Sequence, residues 1–169
     1  MFVDSGFPGE NEEHGALKLG VGRSIIESAQ RAAEMIRILI AADHRIVRQG
    51  LRRLLAEHKD LSVTAEAGNY AETLTAVQAH DIDVAVVDLT MPRRDGIELS
   101  DLVKAVRPNA KILFLSAYSE KSIVLRALRA GADGCMAKEN TAEQMIAVIR
   151  RLGGVEAPTL RPWLRTRIS

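Results

Sequence analysis

Between residues 36 and 152, short apolar segments alternate one for one with longer amphipathic ones, and no other feature of the chain constrains its fold as tightly. The apolar segments are IRILIA (36–41), LSVTAEA (61–67), residues 83–87, KILFLS (111–116) and GCMAK (134–138), all of strand length. Between them, apolar residues recur at helical spacing. Val47, Leu51, Leu54 and Leu55 form one stripe, with His58 as its wet end; Tyr70, Leu74 and Val77 form the next. Leu99, Leu102, Val103 and Val106 precede the helix stop Pro108. Ile123, Val124, Ala127 and Leu128 precede Gly131, placed to end a fourth helix, and Met145, Ile146, Ile149 and Leu152 line a fifth. Asn69 with Glu72, and Thr141 with Gln144, have capping-box spacing. Strands that are each followed by a helix pair in parallel through right-handed crossovers, which predicts a three-layer α/β sandwich. LSVTAEA alternates apolar and polar residues, as an edge strand does.

A chain of 169 residues suits one domain plus extensions. The boundaries expected are an N-terminal extension over residues 1–34, a folded domain over 35–152 and a short tail over 153–169. SIIESAQRAAEM, within the extension, can place Ile25, Ile26, Ala29, Ala32 and Ala33 on one side of a weakly ordered helix. With 47% hydrophobic residues and a net charge of +1, the chain has a core to bury and no overall basic field for nucleic acid. Cys135 is the single cysteine, so neither an internal disulfide nor a paired-cysteine zinc site can form, which fits a reducing compartment. The first 34 residues hold six acids and three bases and lack the charged-then-apolar order of a secretion signal. No uninterrupted apolar stretch reaches the roughly 18 residues of a membrane span. A cytoplasmic protein is expected.

In open α/β sheets, sites form beyond the carboxyl ends of the strands, where the strand order reverses. The residues at those ends are Asp43, Asp88, Ser116 and Lys138. One such residue is readily a turn former, as Asp88 would be in VAVVDLTMPRRDG, but together they make up one chemistry. Asp88 can attack phosphorus as a carboxylate nucleophile. Lys138 can neutralise one phosphoryl oxygen and the Ser116 hydroxyl can donate to another. Two acids and a backbone carbonyl can hold Mg²⁺, and the metal set read here is Asp43, Asp88 and Thr90.

These stretches resemble a known family. LIAADHRIVRQGLRRLL, VAVVDLTMPRRDGIEL, ILFLSAY and ALRAGADGCMAKE stand in the order and spacing of a response-regulator receiver domain, of the branch that carries C-terminal helix-turn-helix output domains. The resemblance spans residues 36–152. It implies a flavodoxin-like, doubly wound sheet of five parallel strands in the order 2-1-3-4-5. It also implies phosphoryl transfer to Asp88 from a histidine kinase or phosphotransfer protein, with Ser116 and Lys138 reading the phosphoryl group. The switched partner would be an effector protein, or a second copy meeting the face of helix 4 and strand 5.

Departures from the family pattern carry expectations of their own. The family usually ends strand 1 with two acids; here Ala42 takes the first position and Asp43 the second, so Mg²⁺ binding should be weakened. Three residues before the lysine, relatives usually have a Tyr or Phe that turns inward on activation, where this chain has Cys135. Cys135 reads as an inert small hydrophobe, His44 as a feature of the branch rather than a ligand, and Arg93 with Arg94 as a solvated basic edge. From Gly153 onward the tail, with Arg161, Trp163, Arg165 and Arg167, is too short for the three helices of an output domain. DNA binding by this chain alone is therefore not expected. The competing readings are a degenerate, phosphorylation-independent interaction module and a truncated DNA-binding regulator. An aspartyl phosphatase is disfavoured, because Thr90 stands where a second acid would be needed, and no turnover enzyme is expected.

Overall fold

Strand 1 begins the folded unit because Ile36, Ile38 and Ile40 cover one face of a strand while Leu39 and Ala41 cover the other, and both sets are buried. The computed structural model describes residues 22, 25, 26, 29, 30, 34–89, 91, 96–117 and 121–154. Its strands are β1 (Ile36–Ala41), β2 (Leu61–Ala67), β3 (Val84–Asp88), β4 (Lys111–Ser116) and β5 (Gly134–Ala137). The helices that alternate with them are α1 (Arg45–Ala56), α2 (Tyr70–Ala79), α3 (Gly96–Val106), α4 (Lys121–Arg129) and α5 (Ala142–Leu152). All strands pair in parallel in the order β2-β1-β3-β4-β5, as the alternation and the resemblance imply.

Side-chain alternation along the strands divides the core in two. Ile36, Ile38, Ile40, Val84, Val86, Leu113 and Leu115 pack with Leu51 and Leu55 of α1 and with Met145, Ile146 and Ile149 of α5. Leu39, Ala41, Ala85, Val87, Ile112 and Phe114 pack on the opposite face with Val77 of α2, Leu99 and Val103 of α3 and Ala127 of α4. The sheet is thus the middle of three layers, covered on both sides as an all-parallel sheet requires. β2 is an edge strand, with Ser62 to Glu66 half-exposed. The β1–β2 register shifts between Ile38 and Leu39, and the residue left over, Thr64, turns its hydroxyl onto the Ile38 carbonyl at 3.3 Å.

The structure corrects several local expectations. β3 is one residue later than 83–87, so Asp88 is its last residue; Asp83 instead caps the N-terminal edge, accepting from Arg37 Nε at 2.9 Å and from the Arg37 backbone N–H at 2.8 Å. In α2 the buried residues are Thr73, Ala76 and Val77, while Leu74 is only half-buried; Thr73 tolerates burial because its hydroxyl donates to the Asn69 carbonyl at 2.8 Å. Asn69 accepts from the Glu72 N–H, but Glu72 reaches back one residue further than a capping box needs, to the Gly68 N–H at 2.6 Å. Thr141 and Gln144 do form the reciprocal box. In α4, Leu128 is exposed and Leu125 more so; Ile123 and Val124 have side chains outside the described set. Gly131 ends α4 with a φ of +84°, a conformation costly for any residue with a Cβ. His58 is more than a wet end, since its Nδ1 lies 3.4 Å from Arg150 Nη2.

The chain divides into two compact units, Met1–Glu34 and Met35–Ser169. In the first, the described residues 22, 25, 26, 29, 30 and 34 are helical, with Ile25 and Ile26 exposed. Ala32, Ala33 and the tail residues Arg161, Trp163, Arg165 and Arg167 lie outside the described residues.

Candidate functional site

The strand order reverses between β1 and β3, so the loops after these two strands leave on opposite faces and open a crevice at their carboxyl ends. Asp88 closes β3 at the floor of this crevice and is 1% exposed. A buried carboxylate needs a partner, and Lys138, the first residue beyond β5, supplies one with Nζ 2.5 Å from Asp88 Oδ2. The Lys138 backbone is tied to β4 as well, its N–H donating to the Ser116 carbonyl at 2.8 Å. Ser116, the last residue of β4, is 2% exposed, and the Leu89 N–H donates to the preceding Leu115 carbonyl at 2.9 Å. Three adjacent strand ends are thereby laced together around Asp88.

Asp43 enters from β1. Its carboxylate Oδ1 accepts from the His44 backbone N–H at 2.9 Å, and His44 Nδ1 lies 2.7 Å from the same oxygen. Ligand atoms of Asp43, His44 and Asp88 all lie within 4.8 Å of one another. Ala42 is buried, and its N–H extends the ladder to the Ala67 carbonyl at 3.0 Å. Its carbonyl accepts from Arg48 Nη1 at 2.6 Å, and the Asp43 carbonyl accepts from the same nitrogen at 3.0 Å. The Arg48 guanidinium therefore bends back from α1 over the end of β1, where Gly68 leaves it room: a Cβ there would meet Nη1 at 3.0 Å.

Of the residues singled out in the sequence, Asp43, Asp88 and Lys138 come together, and Ser116 closes the neighbouring strand. Thr90, Arg93 and Arg94 lie outside the described residues. Two participants escaped the sequence reading: His44, set aside as a branch feature, and Arg48, whose return to carbonyls five and six residues earlier has no periodic signal. Cys135 sits on β5 beside Phe114, half-buried, and burial pushes its thiol pKa up. The site residues fit a divalent cation, since two carboxylates and an imidazole bring ligand atoms within 4.8 Å of one another in the crevice.

Fold and crevice together define a doubly wound α/β domain with an acidic, lysine-closed pocket at its switch point. Residues 38–150 match the response regulator receiver domain. The chain is 34% identical over 119 residues to DevR/DosR, a DNA-binding transcriptional activator of Mycobacterium tuberculosis, over 70% of this chain and 55% of that protein. It is similar to the solved signal receiver domain of NarL from the same species, with a TM-score of 0.67 and 30% identity, over 73% of this chain and 99% of that one. A third likeness, with a TM-score of 0.63 and 28% identity over 70% of this chain and 97% of that one, is to a structure of the CheA3 P1 domain in complex with CheY6 from R. sphaeroides. The chain belongs to the response regulator receiver domain family of two-component signalling. It spans little more than half the length of the curated relatives it matches.

Proposed function

We propose that this chain accepts a phosphoryl group on Asp88 from a phosphohistidine of a histidine kinase or phosphotransfer protein, and that the modified pocket changes what the domain binds. The observation that carries the reading is the buried Asp88 carboxylate held against Lys138 at the crevice floor. In the transfer, an Asp88 oxygen bonds to phosphorus as the phosphorus–nitrogen bond breaks, and the leaving imidazole keeps the electron pair. The product is an acyl phosphate. Lys138, beside the Asp88 carboxyl, faces the new phosphoryl charge, and the Ser116 hydroxyl donates to another phosphoryl oxygen. Asp43 and Asp88, with the Thr90 carbonyl, are the proposed Mg²⁺ ligands. The cation, when bound, neutralises charge that develops on the phosphoryl oxygens. The likeness to CheY6, solved in complex with the CheA3 P1 domain, supports a phosphotransfer partner.

The domain accepts the group on itself and is not a turnover enzyme. Its output is regulatory, through an effector or a second copy at the face of α4 and β5, where Leu125 is 52% exposed. Transcription regulation, as the names of its relatives suggest, is the process served, and the cytoplasm the compartment; among the described residues no helix is long and apolar enough to cross a membrane. A degenerate interaction module is the second reading, favoured by Ala42 at the position of an acid. Incubation with acetyl phosphate and Mg²⁺, followed by intact-mass measurement, decides between them. The expected result is a single phosphoryl addition that Asp88→Asn abolishes. No addition to the unaltered chain, or addition surviving in Asp88→Asn, overturns the first reading.

A further inference from the structure

We propose that His44 is a metal ligand, making the pocket a mixed nitrogen and oxygen site that takes a first-row transition-metal divalent ion, such as Mn²⁺ or Zn²⁺, ahead of Mg²⁺. The inference rests on the reading of Asp43 and Asp88 as metal ligands and adds a donor and a preference to it. The donor set comes first: ligand atoms of Asp43, His44 and Asp88 lie within 4.8 Å of one another, close to the span across which one ion with bonds of roughly 2.0–2.2 Å gathers its ligands. The His44 side chain is 64% exposed, and its Nδ1 lies 2.7 Å from Asp43 Oδ1, so the ring nitrogen stands beside the acid at the crevice rim. Adjacent donors on one octahedral edge are about 3 Å apart, which this pair approaches before any ion is bound.

The second observation is what stands beside the pocket. Ala42 contributes no carboxylate, and the carbonyls of Ala42 and Asp43 are both occupied by the Arg48 guanidinium. The crevice is therefore poorer in oxygen donors and in negative charge than a pocket with two acids after β1. Mg²⁺ depends on hard, charged oxygen ligands and loses most from this. A neutral imidazole suits transition-metal ions and adds almost nothing for Mg²⁺. Ala42 and His44 thus act in the same direction, the one by removing a hard donor, the other by adding a softer one.

The test uses the full chain, stripped of metal by chelation and titrated with Mn²⁺, Zn²⁺ and Mg²⁺. Free Mn²⁺ is followed by its electron paramagnetic resonance signal, and the other ions by competition. The unaltered chain should bind Mn²⁺ more tightly than Mg²⁺, and His44→Ala should weaken Mn²⁺ and Zn²⁺ on the order of 10-fold while leaving Mg²⁺ within about twofold. Pulsed paramagnetic resonance of the Mn²⁺ complex should show a directly bound nitrogen that His44→Ala removes. Equal weakening of all the ions, or a Mn²⁺ complex without nitrogen coupling, overturns the proposal and leaves His44 as a support for Asp43. Asp43→Asn separates this failure from that of the underlying reading. It should weaken every ion, and if it weakens none, the pocket is not the metal site at all.

Discussion

Ala42 stands where the family resemblance leads one to expect an acid, and it is buried between the Ala67 carbonyl and the Arg48 guanidinium. Ala42→Asp should tighten Mg²⁺ on the order of 10-fold, because a carboxylate near the bound ion adds charge and orients its waters. Calorimetric titration checks this; an unchanged affinity would mean that position 42 does not face the crevice. Cys135 gives a second prediction at this scale. Burial pushes its thiol pKa up, so the thiolate fraction at pH 8 is small and alkylation by iodoacetamide should run well below the rate of free cysteine. A rate equal to that of the free amino acid would contradict the half-buried placement. That Asp88 and Lys138 would stand together was legible because a parallel sheet puts every strand's carboxyl end on one edge. Arg48 was not, since a guanidinium that folds back over its own strand leaves no mark in spacing. Nor was the approach of His44 Nδ1 to the Asp43 carboxylate.

At the scale of elements, β3 and α3 meet with no room to spare. A Cβ on Gly96 would lie 2.8 Å from the Asp88 carbonyl oxygen and 3.1 Å from the Leu89 Cα, both backbone atoms that cannot step aside. Gly96→Ala should therefore lift the start of α3 from the end of β3, costing about 1–3 kcal/mol as overpacked sites do and slowing phosphoryl acceptance at Asp88. Denaturant unfolding and acetyl phosphate labelling measure the two effects, and an unchanged midpoint would show that α3 adjusts freely. α4 and β5 carry a prediction about switching. Cys135 is too small to fill either position of a ring that turns between two states, and a two-state element responds only to interactions that differ between its states. Phosphorylation should alter amide exchange across residues 121–137 modestly, and Cys135→Tyr should enlarge the change. A large change in the unaltered chain that Cys135→Tyr leaves alone would exclude the aromatic position from the switch. The elements themselves were largely readable: β1, β2 and β4 stand on the residues that their apolar patterns mark. β3 came one residue late because its boundary is set by pairing, Asp88 with Leu115, rather than by hydrophobicity. Of the described side chains of α4, only Ala127 is buried, as suits a short helix that lays a narrow stripe on the sheet.

For the whole molecule, acidic side chains tie distant parts of the chain together, and their ionisation sets the low-pH limit. Hydrogen bonds from Arg37 hold Asp83 below the usual carboxylate range, and hydrogen bonds from Arg150 do the same for Asp60. Burial pushes Asp133 upward, but the Ile112 N–H and the Lys104 ammonium together outweigh it and leave its pKa lowered. A carboxylate whose folded pKa is depressed contributes stability that is complete above its unfolded value, about 3.9, and is lost as pH falls through the folded value. Stability should thus be level from neutrality to about pH 5 and fall steeply below pH 4. Asp60→Asn with Asp83→Asn should be less stable than the unaltered chain at pH 7, with a gap that narrows toward pH 2.5; a constant gap in denaturant unfolding would refute the linkage. The lacing of the crevice by Lys138 has a different consequence, one for synthesis. Asp88 finds its ammonium partner 50 residues further along, and Asp43 precedes both. Contacts so distant in sequence form late, after the cost of closing long loops has been met. On the proposed reading of Asp88 as the acceptor, a nascent chain on the ribosome that has exposed β1, β2 and β3 presents the carboxylate without Lys138, so phosphoryl acceptance waits until nearly the entire sheet has emerged and closed. Competence to receive a signal then doubles as a report that the carboxyl ends of β3 and β5 have been brought together.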